Sequence, residues 1–182
     1  MDALDSDNSP TRAIIERFRN AARDAEESLV NEEYQKAMAQ FYDASVSADE
    51  MTERFLLLLM KTASSDAQRT LLVEMLSWRL RYLTAQYDYH LAVAQTLSGL
   101  PREEWIARLE TILVLSQTLV GKLIPILRET DDVNVERRIH DLVNDWVTGV
   151  KNLVFKLQSW GMASAQASQV LEWAYDNNLE TQ

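Results

Sequence analysis

Apolar side chains recur every three or four residues along most of this chain, which is the spacing of one face of an α-helix. The clearest stripe begins after Asp131 and Asp132, which suit an N-terminal cap, and ends before Gly161, which suits a helix stop. It predicts a long amphipathic helix that buries one side. The stripe consists of Val135, Ile139, Leu142, Trp146, Val150 (or Gly149), Leu153, Leu157 and Trp160.

The N-terminal third carries a similar stripe that is interrupted once. Ser9 and Pro10 suit the N-cap and the first position of a helix, and apolar residues follow at spacings of three and four as far as Leu29. The stripe fails at residues 32–33, which are both Glu. The helix is therefore predicted either to bend or to break near Asn31.

Two serine-containing patterns predict further helix starts. Ser47 with Glu50, and Ser65 with Gln68, have the spacing of a capping box, in which two side chains satisfy amide groups of a first turn. The first of these patterns places a helix boundary at residues 44–47. The helix that follows contains six apolar residues in succession, 55–60. Because such a run points to every side, we expect neighbouring elements to cover it on several sides.

No helix-breaking residue interrupts residues 66–97, and two apolar stripes run along this segment. Two apolar faces predict a central helix with neighbours on both sides. Residues 98–101, Ser-Gly-Leu-Pro, then form a clear stop and restart. One stripe is Leu72, Leu76, Leu80, Leu83, Tyr87, His90, Ala94 and Leu97, and the other is Leu71, Met75, Trp78, Tyr82, Tyr89 and Val93.

The next helix, at about residues 101–128, is the most apolar, and Lys122 is the only charge within residues 111–127. Pro125 removes an amide donor and presses on the carbonyl of Gly121, so a kink is expected. A membrane span needs about 20 apolar residues, and the polar residues here make a poor one. A buried central helix is the preferred interpretation, with a partner-binding or oligomer face as the alternative.

Together these elements predict an all-α bundle of five to seven helices. It has a long central helix at about 66–97, a kinked apolar helix at about 101–128 and a short last helix at about 163–175. One helical domain over residues 10–178 would follow a flexible acidic leader, residues 1–9. The scarcity of turn residues, four Gly and three Pro in 182 residues, favours this fold because Gly and Pro supply most turns.

Composition narrows the classes of function. The net charge is −10, and residues 1–50 hold 12 acidic side chains against five basic ones. Nucleic acid is therefore disfavoured as a partner, because phosphate binding needs clustered Lys and Arg. The chain has no Cys, which excludes disulfides and thiolate metal sites. No signal peptide is recognisable, so a cytoplasmic protein is expected.

Catalytic and metal-binding patterns are missing from the sequence. A di-iron carboxylate bundle needs Glu three residues before His on two helices, whereas Tyr87 and Arg137 precede His90 and His140. Glu136 lies one turn before His140, but the arginines between them favour an exposed charged strip. Phosphate-cradling loops need glycines that this chain does not supply. We predict no enzyme activity, no cofactor and no metal.

The first hypothesis is a non-enzymatic helical protein that acts through contacts with another protein or with itself. Such a protein would serve as an adaptor, regulator, secretion accessory or assembly component. Exposed Trp often anchors an interface, and a kinked apolar helix offers an adaptable surface. The predicted contact residues are Trp105, Leu119, Leu123, Pro125 and Trp173.

The second hypothesis is a small-molecule-binding sensor. His90 lies among tyrosines on the predicted central helix, where hydroxyl and imidazole groups could orient a ligand. A core histidine bonded to a neighbouring side chain is the simpler interpretation. Peripheral membrane association is a third hypothesis. The predicted pocket residues are Trp78, Tyr82, Tyr87, Tyr89 and His90.

Overall fold

A computed structural model of the protein describes residues 9–96, 102–159, 164–177 and 179, and these residues form six α-helices. The predicted all-α class and the predicted number of helices are confirmed, and the described residues contain no strand. Residues 1–8 of the predicted leader and the predicted stop at 98–101 lie outside the described residues. The helices are α1 (Ser9–Val30), α2 (Tyr34–Lys61), α3 (Ser65–Thr96), α4 (Arg102–Glu129), α5 (Val133–Ser159) and α6 (Ala165–Asp176).

The chain divides into two compact units, residues 1–100 and residues 101–182. Unit 1 contains α1, α2 and α3, and unit 2 contains α4, α5 and α6. Each unit is described by itself below. The single domain expected over residues 10–178 stays a prediction.

Two apolar clusters hold the helices of unit 1 together, with α2 packed against both of the others. The first cluster joins Ile14 of α1, Met51 and Phe55 of α2, and Trp78 of α3. Phe18 meets the Trp78 ring edge-to-face, with ring centroids 5.3 Å apart. Within unit 1, α2 is the helix that packs against both of the others, whereas the two apolar stripes predict that position for α3. The second cluster consists of Ala25, Ala37, Phe41 and Ala92.

The helix boundary predicted at residues 44–47 is wrong, because α2 runs through it without a break. Ser45 is buried, and its hydroxyl accepts a hydrogen bond from Gln86 Nε2 of α3 at 2.9 Å. Glu50, expected to cap a helix, instead forms an ion pair with Arg17 of α1. The small and polar residues that resemble a cap are used for contacts between helices.

A true break separates α1 from α2, which decides between the two outcomes left open near Asn31. The Glu33 amide donates to the Ser28 carbonyl at 2.8 Å, and the Glu32 amide donates to the Leu29 carbonyl at 3.1 Å. These are the two hydrogen bonds of a Schellman motif, in which the residue after the helix is left-handed and usually Gly. Here that residue is Glu32, with φ of 60°.

We expect Glu32→Gly to raise the free energy of unfolding by about 0.5–1 kcal/mol. A left-handed conformation is unfavourable for any residue with a β-carbon, and the gain is reduced by the greater freedom of Gly in the unfolded chain. Urea denaturation followed by circular dichroism measures the change. Glu32→Ala is the control, since Ala keeps the β-carbon and should stay near wild type. A Gly variant less stable than the Ala variant would contradict the prediction.

The three helices of unit 2 are in mutual contact. Each member of the predicted α5 stripe from Val135 to Leu157 is buried, which confirms the stripe over the described residues. Trp160 lies outside them. Asp132 Oδ1 accepts a hydrogen bond from the Asn134 amide at 2.8 Å. The predicted cap of this helix is therefore confirmed as well.

The most apolar helix, α4, continues through Pro125. Pro125 is exposed, and because Pro has no N–H, the carbonyl of Gly121 lacks its usual helical donor. The kink expected at this point stays a prediction. The predicted short last helix is α6, and its start is fixed by Ser164, whose hydroxyl accepts from the Ala167 amide at 2.9 Å.

Candidate functional site

The densest group of exposed apolar side chains among the described residues lies at the C-terminal end of α2. Leu56, Leu57, Leu58 and Met60 are 44%, 55%, 41% and 76% exposed. We refer to these four residues as the α2 apolar end. The expectation that residues 55–60 are covered on several sides is wrong for them, whereas Phe55 is buried.

The exposure of the α2 apolar end follows from where its neighbours lie. Successive helical residues point about 100° apart, so a run of apolar residues faces every side. Arg54 Nη1 donates to Thr11 Oγ1 at 3.2 Å, which places the first turn of α1 beside Arg54. The described part of α1 therefore lies along the stretch of α2 that precedes the leucines. Phe55 reaches the first apolar cluster, and the α2 apolar end extends beyond it.

Hydrogen bonds fix the turn that follows the α2 apolar end. The Thr62 hydroxyl donates to the Leu58 carbonyl at 2.8 Å, and the Thr62 amide donates to the Leu59 carbonyl at 3.3 Å. Gln68 Nε2 donates to the Thr62 carbonyl at 2.6 Å. The start of α3 at Ser65 agrees with the sequence, but Gln68 closes this turn instead of completing a capping box. The exposed leucines are thus presented by a firmly bonded helix end.

Charged residues border the α2 apolar end on both sides. Glu53 precedes it and Lys61 follows it, and both are exposed. One turn earlier, Asp49 binds Arg79 of α3 with 2.8 Å between the charged atoms. The surface therefore combines an apolar centre with an acidic flank and a basic flank, which is the usual make-up of a protein interface with a polar rim.

The residues predicted to contact a partner differ in how exposed their side chains are. The Trp105 side chain lies outside the described residues. Leu123 is 0% exposed and offers no surface to a partner, because its side chain belongs to the core. Leu119 and Trp173 are half-buried, and Pro125 is exposed.

Trp173 packs inside unit 2. Its ring meets the Trp146 ring edge-to-face, with centroids 6.1 Å apart. A β-carbon added at Gly121 would lie 3.9 Å from Trp173 Cζ2, which is an ordinary van der Waals contact, so an Ala side chain fits beside the ring.

One described segment, Ile106–Glu129, is long and apolar enough to cross a membrane by length and composition, with a mean hydropathy of 1.4. The same segment supplies the core residues Leu109, Leu113 and Val120. Core helices of soluble bundles also have this composition, because they bury an apolar stripe. Its opposite side carries the exposed residues Arg108, Thr111, Val114, Leu115, Thr118, Lys122 and Pro125.

The five residues of the predicted ligand pocket lie on two sides of α3. Trp78 and Tyr82 pack into the first apolar cluster of unit 1, and Tyr89 packs into the second. Tyr87 and His90 belong to the other stripe of the helix and are half-buried. The His90 ring contacts the Tyr89 ring edge-to-face, with centroids 5.2 Å apart. The structure therefore does not bring all five to one face of α3.

Arginines cover two of these aromatic rings. The Arg79 guanidinium carbon lies 4.5 Å from the centroid of the Tyr82 ring, and that of Arg81 lies 4.7 Å from the centroid of the Trp78 ring. Such cation–π contacts contribute to the stability of a folded protein. Trp78 and Tyr82 thus serve the packing of unit 1.

Burial, followed by the charge of Asp88, raises the pKa of Tyr87. A Tyr pKa that is higher in the folded than in the unfolded protein leaves stability unchanged below about pH 10. Above that pH, stability falls by up to about 1.4 kcal/mol per pH unit. We expect Tyr87→Phe to remove this fall, whereas Tyr42→Phe, a change at an exposed side chain, retains it. Urea denaturation at several alkaline pH values measures the fall in the free energy of unfolding. The same fall in both variants would contradict its assignment to Tyr87.

The exposed charged strip predicted around His140 is confirmed. His140 and Glu136 are both exposed, with 4.0 Å between His140 Nε2 and Glu136 Oε1, and Arg137 and Arg138 are exposed beside them. Within the described ranges, no group of three or more His, Asp or Glu side chains is arranged to hold a metal ion.

The residues that sequence reasoning missed are those of the α2 apolar end. The apolar run is evident in the sequence, where it predicts a helix covered on several sides. One available signal was its position: the run ends immediately before the stop at residues 62–64, where a helix leaves its neighbours. The location of the run next to the turn between α2 and α3, together with its unusual length, marks the α2 apolar end as a candidate interaction surface.

Comparison of the chain with models of protein families, with curated proteins and with solved structures gives no match. The candidate site is therefore interpreted from its own residues.

Proposed function

We propose that this protein is a non-enzymatic helical protein that acts through protein–protein contact, and that the α2 apolar end is the contact surface. The observation that carries the proposal is the exposure of four large apolar side chains within five consecutive positions, 56–60. Contiguous exposed apolar surface is characteristic of interaction sites in soluble proteins.

The energetics support a contact role. Burying a fully exposed Leu or Met side chain contributes about 1.5–3 kcal/mol. The four side chains are 41–76% exposed, so covering each of them contributes a corresponding fraction of that amount to the free energy of a complex. The firmly bonded turn at residues 62–64 adds to this, because a surface that is already ordered loses little entropy on binding. The flanking charges of Glu53 and Lys61 then favour one orientation of a partner over others.

The experiment places a photo-reactive benzophenone amino acid at position 57, in the centre of the surface, and at position 155 in a second protein. Phe155 of α5 is 73% exposed and provides a matched exposed apolar site in unit 2. Irradiation of cells that make each protein is followed by separation of the adducts by mass. We expect one adduct of defined mass from position 57 and none from position 155.

A double variant tests whether the adduct depends on the apolar side chains around position 57. Leu56→Ser with Met60→Ser removes apolar area on either side of position 57 and leaves the buried clusters untouched, so the protein should fold and the adduct should disappear. A lack of any protein adduct at position 57, or an adduct that persists in the double variant, would overturn the proposal.

A further inference from the structure

Glu53, Leu57 and Lys61 lie on one line along the exposed side of α2. They are four residues apart, and residues at this spacing form a ridge on the surface of a helix. Nearby acidic residues are engaged within unit 1, since Asp49 pairs with Arg79 and Glu50 with Arg17.

The two charged residues on this ridge, Glu53 and Lys61, are available to pair with charges on a partner. Glu53 and Lys61 take part in no ion pair within the part of the chain that the structure describes. Both are exposed at the ends of an apolar surface, with Leu57 midway between them.

This arrangement is self-complementary. A half-turn about an axis through Leu57 and perpendicular to α2 places Glu53 of one copy level with Lys61 of a second copy, and Leu56 level with Leu58. A symmetric dimer needs such a surface, in which each patch meets its own image. We propose that the α2 apolar end binds a second copy of this chain, with the two α2 helices antiparallel and Leu57 at the two-fold axis.

The proposal rests on the proposed function, to which it adds the identity of the partner and its orientation. The ridge geometry makes the register specific. Four residues span about 6 Å along a helix, so the two Glu53 residues of the dimer lie about 12 Å apart along the axis. Each Glu53 is instead level with Lys61 of the second copy. An ion pair therefore forms only between unlike positions, and it forms twice because of the symmetry.

The first experiment exchanges the charges. Glu53→Lys alone and Lys61→Glu alone should each raise the dissociation constant of the dimer about 10-fold in sedimentation equilibrium, because two attractive pairs become repulsive. The double variant with both changes should return to about the wild-type value. Glu26→Lys on α1 and Lys122→Glu on α4, at exposed positions that do not belong to this ridge, serve as matched controls and should leave the constant unchanged.

The second experiment uses the absence of Cys from the chain, because any introduced Cys is then unique. Leu57→Cys should form a disulfide-linked dimer on mild oxidation. An equal mixture of Glu53→Cys and Lys61→Cys proteins, distinguished by mass tags, should form the mixed disulfide in preference to either homodimer. Disulfides need Cα atoms within about 7 Å, which equivalent Glu53 positions do not reach in the antiparallel arrangement.

The outcomes separate the two proposals. A wild-type protein that stays monomeric at every concentration, a double charge variant that does not recover, or Glu53→Cys that links to itself would each overturn the antiparallel dimer. If position 57 forms a photo-adduct with a different protein while the wild type is monomeric, the contact function stands and self-association is refuted. If position 57 forms no adduct, both proposals fail.

Discussion

Trp146→Ala should lower the free energy of unfolding by about 3–5 kcal/mol, the usual cost of removing a large aromatic ring from a core. The ring is buried between the helices of unit 2 and meets Trp173 of α6 edge-to-face. Its Nε1–H donates to Ser116 Oγ of α4 at 2.8 Å. One side chain thus connects all three helices, and its loss should be seen in urea denaturation followed by circular dichroism.

Two milder variants separate the contributions to this effect. Trp146→Phe keeps most of the apolar ring and removes the N–H donor, so a loss of about 1–2 kcal/mol is expected. Ser116→Ala leaves the buried indole N–H without its acceptor and should cost about 1–3 kcal/mol. A Trp146→Ala variant no less stable than Trp146→Phe would contradict the central role of the ring.

The second large effect is expected at Met51, where substitution by Ala should cost about 2–5 kcal/mol. The side chain is 1% exposed and lies in the first apolar cluster, together with Ile14 of α1 and Trp78 of α3. Because α2 packs against both neighbours in unit 1, a cavity at this position weakens two helix contacts together. Thermal and urea unfolding of the variant measure the loss.

Met60→Ala is a matched control for this prediction, because it is the same substitution on the same helix. Met60 is 76% exposed, so its replacement should change the stability of the isolated chain by less than about 0.5 kcal/mol. At concentrations where the wild type associates, the same variant should weaken association. Equal destabilisation at positions 51 and 60 would show that the end of α2 is buried and would remove the basis of the contact surface.

Much of the fold could be predicted because it depends on local spacing. The periodicity of apolar residues was enough to predict the α5 stripe. The cap at Asp132 could be predicted because it requires only one side chain close to the amides of the next few residues. The predicted helix boundary at residues 44–47 is wrong because of contacts between helices, which the sequence does not show. Small residues and a Ser–Glu spacing look alike whether they cap a helix or bury it against a neighbour, and here Glu50 bonds to Arg17 of another helix.

The break near Asn31 shows a different limit of prediction from sequence. Helix ends with a left-handed residue usually carry Gly, and the scarcity of Gly in this chain predicts few turns. Glu32 adopts φ of 60° because two backbone hydrogen bonds of the Schellman motif hold it there. A break without its usual residue could be suspected from the interrupted stripe, but only the backbone geometry decides between a bend and a break.

The candidate site could not be predicted because exposure is a property of neighbours. Leucine 123 and Leu57 are equally apolar, and both lie in strongly apolar segments. Leucine 123 lies on the packed side of α4, whereas Leu57 lies on the outer side of α2, beyond the stretch that the described part of α1 accompanies. The five predicted pocket residues lie on two sides of α3 for a similar reason, because the two apolar stripes of this helix point in different directions.

The all-α class, the approximate bounds of α3, α4 and α5, and the amphipathic face of α5 follow from the sequence alone, because each depends on interactions between residues a few positions apart. The packing of the helices sets which apolar residues are covered, which aromatic side chains share a face, and that four large apolar side chains at the end of α2 remain exposed. Those outcomes depend on where distant helices begin and end beside one another, and no local pattern records that.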